Sequence, residues 1–109
     1  MTAEKLSIVC GFTPLSLPSP DRTVEGCYMG DLLSWVMGRA KADDAWITIM
    51  SNQNVIAVAC LADISCVILA EGVTPPEDIL LLAKEKGVNI LSSELTAYET
   101  AKRLFSVLK

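Results

Sequence analysis

The stretch Cys66-Val67-Ile68-Leu69-Ala70-Glu71-Gly72-Val73-Thr74-Pro75-Pro76-Glu77-Asp78-Ile79-Leu80-Leu81-Leu82-Ala83-Lys84-Glu85-Lys86-Gly87 decides the fold. Its first five residues form an unbroken apolar run, as expected of a strand covered on both faces. Thr74-Pro75-Pro76-Glu77 has the S/T-x-x-E spacing of a capping box, with proline where a missing N–H costs little. Ile79, Leu80, Leu82 and Ala83 then recur at helical spacing, and Gly87 is placed to end the helix as a left-handed residue. One strand followed by one helix is the repeating unit of a parallel sheet.

The same unit precedes and follows. Upstream, Trp46-Ile47-Thr48-Ile49-Met50 is short and β-branched, and Ser51 is predicted to cap a helix that buries Ile56, Ala59 and Cys60. Downstream, Val88-Asn89-Ile90-Leu91 predicts a third strand. Thr96-Ala97-Tyr98-Glu99 repeats the capping-box spacing, leading to Tyr98, Ala101, Leu104, Phe105 and Leu108 on one face. Before these units, Val24–Tyr28 predicts a strand, and Asp31 is a natural N-cap for a helix carrying Leu32, Trp35 and Val36. Lys5–Cys10 reads as a short strand that enters Thr13-Pro14-Leu15-Ser16-Leu17-Pro18-Ser19-Pro20-Asp21-Arg22, whose three prolines predict an extended linker. The expected architecture is a three-layer α/β/α domain with a mainly parallel sheet. A single domain spans residues 1–109, with residues 1–23 as strand plus linker and residues 24–108 as core.

Composition agrees with one apolar-rich globule. The chain has 109 residues, 51% of them hydrophobic and 20% charged, which excludes a disordered or low-complexity chain. A net charge of −4 has the wrong sign for binding phosphate backbones or anionic lipid, so neither nucleic acid nor membrane is an expected partner. No apolar stretch reaches the length that spans a bilayer, and the first residues have too short an apolar run for a signal peptide. Cys10, Cys27, Cys60 and Cys66 form no C-x-x-C pair and sit among apolar neighbours, which predicts buried structural thiols in a reducing cytoplasm. An iron–sulfur or redox use of these thiols is the disfavoured alternative, and no cofactor is expected.

The absence of histidine removes the usual base for a serine or cysteine nucleophile. The chain also contains no G-x-x-x-x-G-K-[ST], G-x-G-x-x-G or G-x-S-x-G sequence, so no catalytic constellation can be named and an enzyme is not expected. The sequence does offer a row of turns at the predicted carboxyl ends of the parallel strands, where open α/β sheets bind ligands. Their candidate ligand-binding residues are Ser51, Asn52, Gln53, Glu71, Gly72, Thr74, Ser93 and Thr96. The same hydroxyls and amides equally serve as caps for their own helices, and Glu71 opposes an anionic ligand. Trp35 and Trp46 are candidate core or dimer-interface anchors, because no basic residues interleave with them to hold a nucleic acid.

The order V-E-G-C-Y-M-G-D-L-L-S, A-W-I-T-I-M-S-N-Q-N-V-I-A-V-A, C-V-I-L-A-E-G-V-T-P-P-E-D-I-L-L-L-A-K-E-K-G-V-N-I-L and T-A-Y-E-T-A, from about Val24 to Leu104, resembles the DRTGG domain. That family is a small α/β module similar to the N-terminal domain of HPr kinase/phosphorylase, and it occurs beside CBS domains and in some bacterial phosphotransacetylases. The family's Asp-Arg pair and Thr-Gly-Gly turn correspond here to Asn52-Gln53 and Ala70-Glu71-Gly72, so only Gly72 is retained. The literal Asp21-Arg22-Thr23 lies upstream, in the expected linker. Kinase activity is not implied, since the P-loop of HPr kinase/phosphorylase belongs to a separate catalytic domain. The resemblance implies a regulatory or adaptor module, expected as a homodimer, that binds a protein partner or small ligand. Stand-alone members are encoded near hydrogenase and redox-signalling genes. The alternative is a nucleotide or phosphometabolite sensor that uses backbone amides near Ser51, Gly72 and Ser93.

Overall fold

The computed structural model describes residues 1–108. In chain order the elements are α1 (Ala3–Cys10), β1 (Thr13–Ser16), β2 (Gly26–Met29), α2 (Leu33–Arg39), β3 (Asp44–Thr48), α3 (Gln53–Leu61), β4 (Cys66–Leu69), α4 (Glu77–Lys86), β5 (Ile90–Ser92) and α5 (Ala97–Val107). The sheet order is β1-β5-β4-β3-β2. All pairs are parallel except β1 with β5. The expected three-layer α/β/α architecture with a mainly parallel sheet is therefore present.

The period of two along each strand divides the core between two layers. Ala45, Ile47, Cys66, Ile68 and Leu91 face the layer that contains α1 and α5, where they meet Leu6 and Leu104. Trp46, Val67, Leu69 and Ile90 face α2, α3 and α4, where they meet Val36, Val55, Ile56, Ile79 and Ala83. Both faces of β3 and β4 are covered, which is why β4 reads as a continuous apolar run and β3 carries Ala45, Trp46 and Ile47 in succession between Asp44 and Thr48.

The N-terminal segment differs from the sequence expectation. Lys5–Cys10 is not a strand, since it lies within α1, capped by the Thr2 side chain accepting from the Lys5 amide at 3.2 Å. Gly11 closes the helix at φ 74°, and the Phe12 amide returns to the Ser7 carbonyl. A short apolar run fits a strand or a buried helix equally well by period, and the flanking Thr2 and Gly11 were the discriminating signals. The proline-rich stretch is not wholly irregular either. Thr13–Ser16 forms β1 at the sheet edge, where Pro14 loses no ladder bond that the sheet needs, and the register slips between Pro14 and Ser16. Leu6 and Ala3 are fully buried, so residues 1–23 contribute to the core that the sequence assigned to residues 24–108.

Three expected caps also move. Asp31 does not cap α2, whose N-cap is Leu32 with no side-chain bond. Asn52, rather than Ser51, caps α3, its Oδ1 accepting from the Asn54 amide at 2.9 Å. The Thr74 capping box does not form, because consecutive prolines hold the chain extended and α4 begins behind Pro76 with no side-chain cap. Gly87 at φ 74° and the Thr96 cap of α5 are as expected. Cys60 was expected in the buried stripe of α3 but is exposed, and Val55 and Val58 are buried in its place.

Candidate functional site

The carboxyl ends of β2, β3, β4 and β5 lie side by side, as parallel pairing requires. At β2, Asp31 Oδ1 accepts from the Thr48 hydroxyl at 2.7 Å and the Ile49 amide at 3.0 Å, tying the β2–α2 loop to the end of β3. At β4, Glu71 and Gly72 are both left-handed, with φ 63° and 69°. The Glu71 amide donates to the Leu95 carbonyl and the Gly72 amide to the Ser93 carbonyl. Glu71 Oε2 in turn accepts from the Ala97 amide at 3.1 Å, so this carboxylate occupies the N-terminus of α5. Ser93 is buried and shares a 2.8 Å hydroxyl contact with Thr100, while its Oγ also accepts from the Leu95 amide. Thr96 Oγ1 accepts from the Glu99 amide at 3.1 Å.

Of the residues singled out from the sequence, the fold thus brings Glu71, Gly72, Ser93 and Thr96 into one bonded corner between the β4 and β5 turns. The positive φ of Gly72 favours glycine there, and a Cβ would meet only the movable end of the Glu94 side chain, 2.9 Å from Oε2. The amides of Glu71, Gly72, Leu95, Ala97 and Glu99 are already donated within the chain, and two carboxylates, Glu71 and Glu94, flank the turn. Ser51, Asn52 and Gln53 stand at the neighbouring strand end, and Thr74 is exposed ahead of α4. Gln53 also borders an open cavity of about 430 Å³ between α3 and α4, on the outer side of the helical layer. The corner between the β4 and β5 turns contributes no residue to it.

The two tryptophans separate. Trp46 is fully buried, its Nε1 donating to the Gly30 carbonyl at 2.8 Å, so it is a core residue and not an interface anchor. Trp35 is 51% exposed, with the Arg39 guanidinium 3.6 Å from its ring centroid. Met29 and Leu32, on β2 and the loop behind it, are also exposed. Tyr98 and Phe105 were expected in the buried stripe of α5, but they are 67% and 80% exposed. Thr100 and Leu104 are the residues α5 buries.

Sequence reading missed Asp31 as a tie between loops, Glu94 as the neighbour of Gly72, and Arg22. The Arg22 guanidinium bonds Asp43 at 2.9 Å and Asp63 at 2.8 Å, two residues with φ of 69° and 57°. No short-range pattern announces such contacts, although an Asp in a tight turn is a recognised left-handed residue.

All four thiols are free. Burial pushes the Cys66 thiol up to about 12, with Cys27 and Cys10 adding to the effect. Burial also raises Cys27, to about 11, with Asp44 adding to it, although this thiol reaches solvent at the sheet edge beside Leu104 and Phe105 of α5. Cys10 is raised by burial, against a lowering by Arg103. Among the described residues, no three His, Cys, Asp or Glu side chains are grouped to hold a metal ion. Ellman's reagent at pH 8 should therefore label Cys60 first and Cys27 more slowly. Cys10 and Cys66 should react only at the rate of unfolding. Unfolded thiols ionise near about 8.5, so between that pH and about 12 the native state binds more protons than the unfolded one. Stability should fall across this window by up to about 1.4 kcal/mol per pH unit from Cys66 alone. Urea titrations at pH 8 and pH 10 check this, and Cys66→Ala should flatten the slope.

Fold and turns together define a small α/β/α module whose carboxyl edge is bonded from within at Asp31 and at the corner between the β4 and β5 turns. Residues 24–107 match the DRTGG domain, and the chain belongs to that family. Among solved structures it is similar to the CBS and DRTGG domains of the regulatory region of Clostridium perfringens pyrophosphatase, complexed with its activator diadenosine tetraphosphate. The TM-score is 0.73 at 12% identity. The likeness covers 94% of this chain, more than residues 24–107 alone, and 45% of that one. No curated protein matches the chain. No helix among the described residues is long and apolar enough to cross a membrane.

Proposed function

We propose that this chain is a non-catalytic regulatory module that acts by binding a protein partner or small ligand, and that it does so as a homodimer in a reducing, cytoplasmic compartment. One contrast carries the reading. The side chains of Asp31, Glu71, Ser93 and Thr96 at the carboxyl edge are bonded within the fold, whereas Trp35 stands exposed on α2 under Arg39. Tryptophan and arginine are the residues that most often anchor protein interfaces. Four free thiols fit a reducing compartment. The family resemblance makes hydrogenase and redox-signalling proteins the first partners to screen.

Trp35 also supplies the assay. Its indole is exposed and that of Trp46 is buried, so a partner seated on α2 should shift the emission of Trp35 to the blue, and Trp35→Phe should abolish the shift. A bound partner that leaves Trp35 emission unchanged would move recognition away from α2. The second reading, a nucleotide or phosphometabolite sensor, draws on the activator complex of the structurally similar regulatory region. Its remaining anchor here is the β3–α3 turn with Ser51 and Gln53. In a thermal-shift panel of nucleotides that includes diadenosine tetraphosphate, a ligand at 100 times its Kd adds about 2.7 kcal/mol, or roughly 10 °C. A flat panel removes this second reading.

A further inference from the structure

The helix α3 is unlike a surface helix. No charged residue occurs from Ala45 to Ala62, so α3 is apolar beyond its two polar N-terminal residues, Gln53 and Asn54. A helix that is apolar all round is ordinarily buried all round. Here one face packs on the sheet through Val55, Ile56, Val58 and Ala59, and the other shows Ala57, Cys60 and Leu61, the last 73% exposed. That outer face forms one wall of the open cavity between α3 and α4, and Leu82 and Lys86 form the other. On α4 the positions Asp78, Leu82 and Lys86 are four residues apart and so make one stripe, with acid at the first turn, an apolar centre and base at the last.

We propose that the α3–α4 face is a self-association surface whose occupant is a second copy of this chain. The stripe is self-complementary under a two-fold axis, the commonest symmetry of soluble oligomers. An axis passing near Ala57 and Leu82 sets the two α4 helices antiparallel and places Asp78 of each copy opposite Lys86 of the other. The charge-free centre meets itself, and the small side chain of Ala57 lets the α3 helices approach closely. A partner of uniform charge would satisfy only one end of this stripe. This inference rests on the homodimer reading above and adds to it the surface used.

Analytical ultracentrifugation of the full chain with its variants tests the surface. The wild type should sediment as a dimer at micromolar concentration. Leu61→Glu should raise the dimer Kd at least about ten-fold, since it buries a charge in the apolar part of the interface one helical turn from the axis. Lys86→Asp should also weaken association about ten-fold by setting like charges opposite each other twice, and the swap Asp78→Lys with Lys86→Asp should restore the Kd to within about three-fold of wild type. Phe105→Glu, on the opposite helical layer, should leave it unchanged. All four positions are exposed, so the variants keep the folded circular-dichroism spectrum that makes the comparison valid. A wild-type monomer at about 100 μM overturns the homodimer reading and this surface together, at a concentration where even weak standard-sized interfaces associate. A dimer that Leu61→Glu and Lys86→Asp leave intact, or that Phe105→Glu dissociates, overturns the surface alone.

Discussion

Trp46→Ala should lower the unfolding free energy by about 3–5 kcal/mol, the cost of removing a large aromatic side chain from a packed core. The indole is fully buried in the layer shared with Val36, Val55 and Val67, and its Nε1 holds the Gly30 carbonyl at 2.8 Å. The substitution therefore leaves a cavity and also an unpaired carbonyl at the end of β2. Trp46→Phe separates the two effects, because it restores most of the volume and loses only the bond, which costs about 1–3 kcal/mol. Urea unfolding followed by far-ultraviolet circular dichroism reads both differences. A loss under about 1 kcal/mol for Trp46→Ala would return Trp46 to the surface role that the sequence left open.

Asn89→Ala should cost about 2–4 kcal/mol, from a residue with no apolar contribution to the core. Asn89 is almost wholly buried, and its amide meets the backbone as a strand would. Oδ1 accepts from the Ser19 amide at 2.9 Å, and Nδ2 donates to the Ser19 carbonyl at 2.7 Å and the Ser65 carbonyl at 3.1 Å. Three backbone groups thus lose their partner together, and Ser19 lies in the proline-rich segment that carries β1 back to the loop before β2. The expected signature is both a lower urea midpoint and faster proteolysis within residues 17–22, since the segment loses its buried anchor. Asn89→Asp retains the acceptor but has no Nδ2 donor, and it should recover little of the loss. A variant that loses stability without exposing that segment to protease would place the role of Asn89 in the β4–β5 region alone.

These two residues also mark the limit of what the sequence discloses. The units β3–α3, β4–α4 and β5–α5 were legible because strands covered on both faces must be apolar throughout, and because Gly87 and Thr96 do local work that any reader of the chain can assign. The candidate site was legible only as a list. Parallel pairing places Glu71, Gly72, Ser93 and Thr96 together, but which of their groups remain free depends on the bonds between two loops more than twenty residues apart, such as Glu71 to Ala97. The same holds for the faces of α5. Tyr98, Ala101, Phe105 and Leu108 make one helical stripe, and Thr100 and Leu104 lie on another about 100° around the helix; packing against the rest of the fold buried the second and left Tyr98 and Phe105 exposed.

By itself, then, the sequence determined the repeating strand–helix unit, the mainly parallel sheet and the lack of a histidine-based reaction centre, because each follows from residue type and short-range spacing, while membership of the DRTGG family rests on the likeness of residues 24–107 as a whole. The tertiary structure decided the rest. It made a helix of the N-terminal run, recruited Pro14 into an edge strand, turned Trp46 inward and Trp35 outward, and consumed the hydroxyls of Ser93 and Thr96 in internal bonds. The physical reason is common to all four. A short apolar or polar segment has several locally acceptable conformations, and the choice among them falls to burial and hydrogen-bond partners that are supplied from elsewhere in the chain.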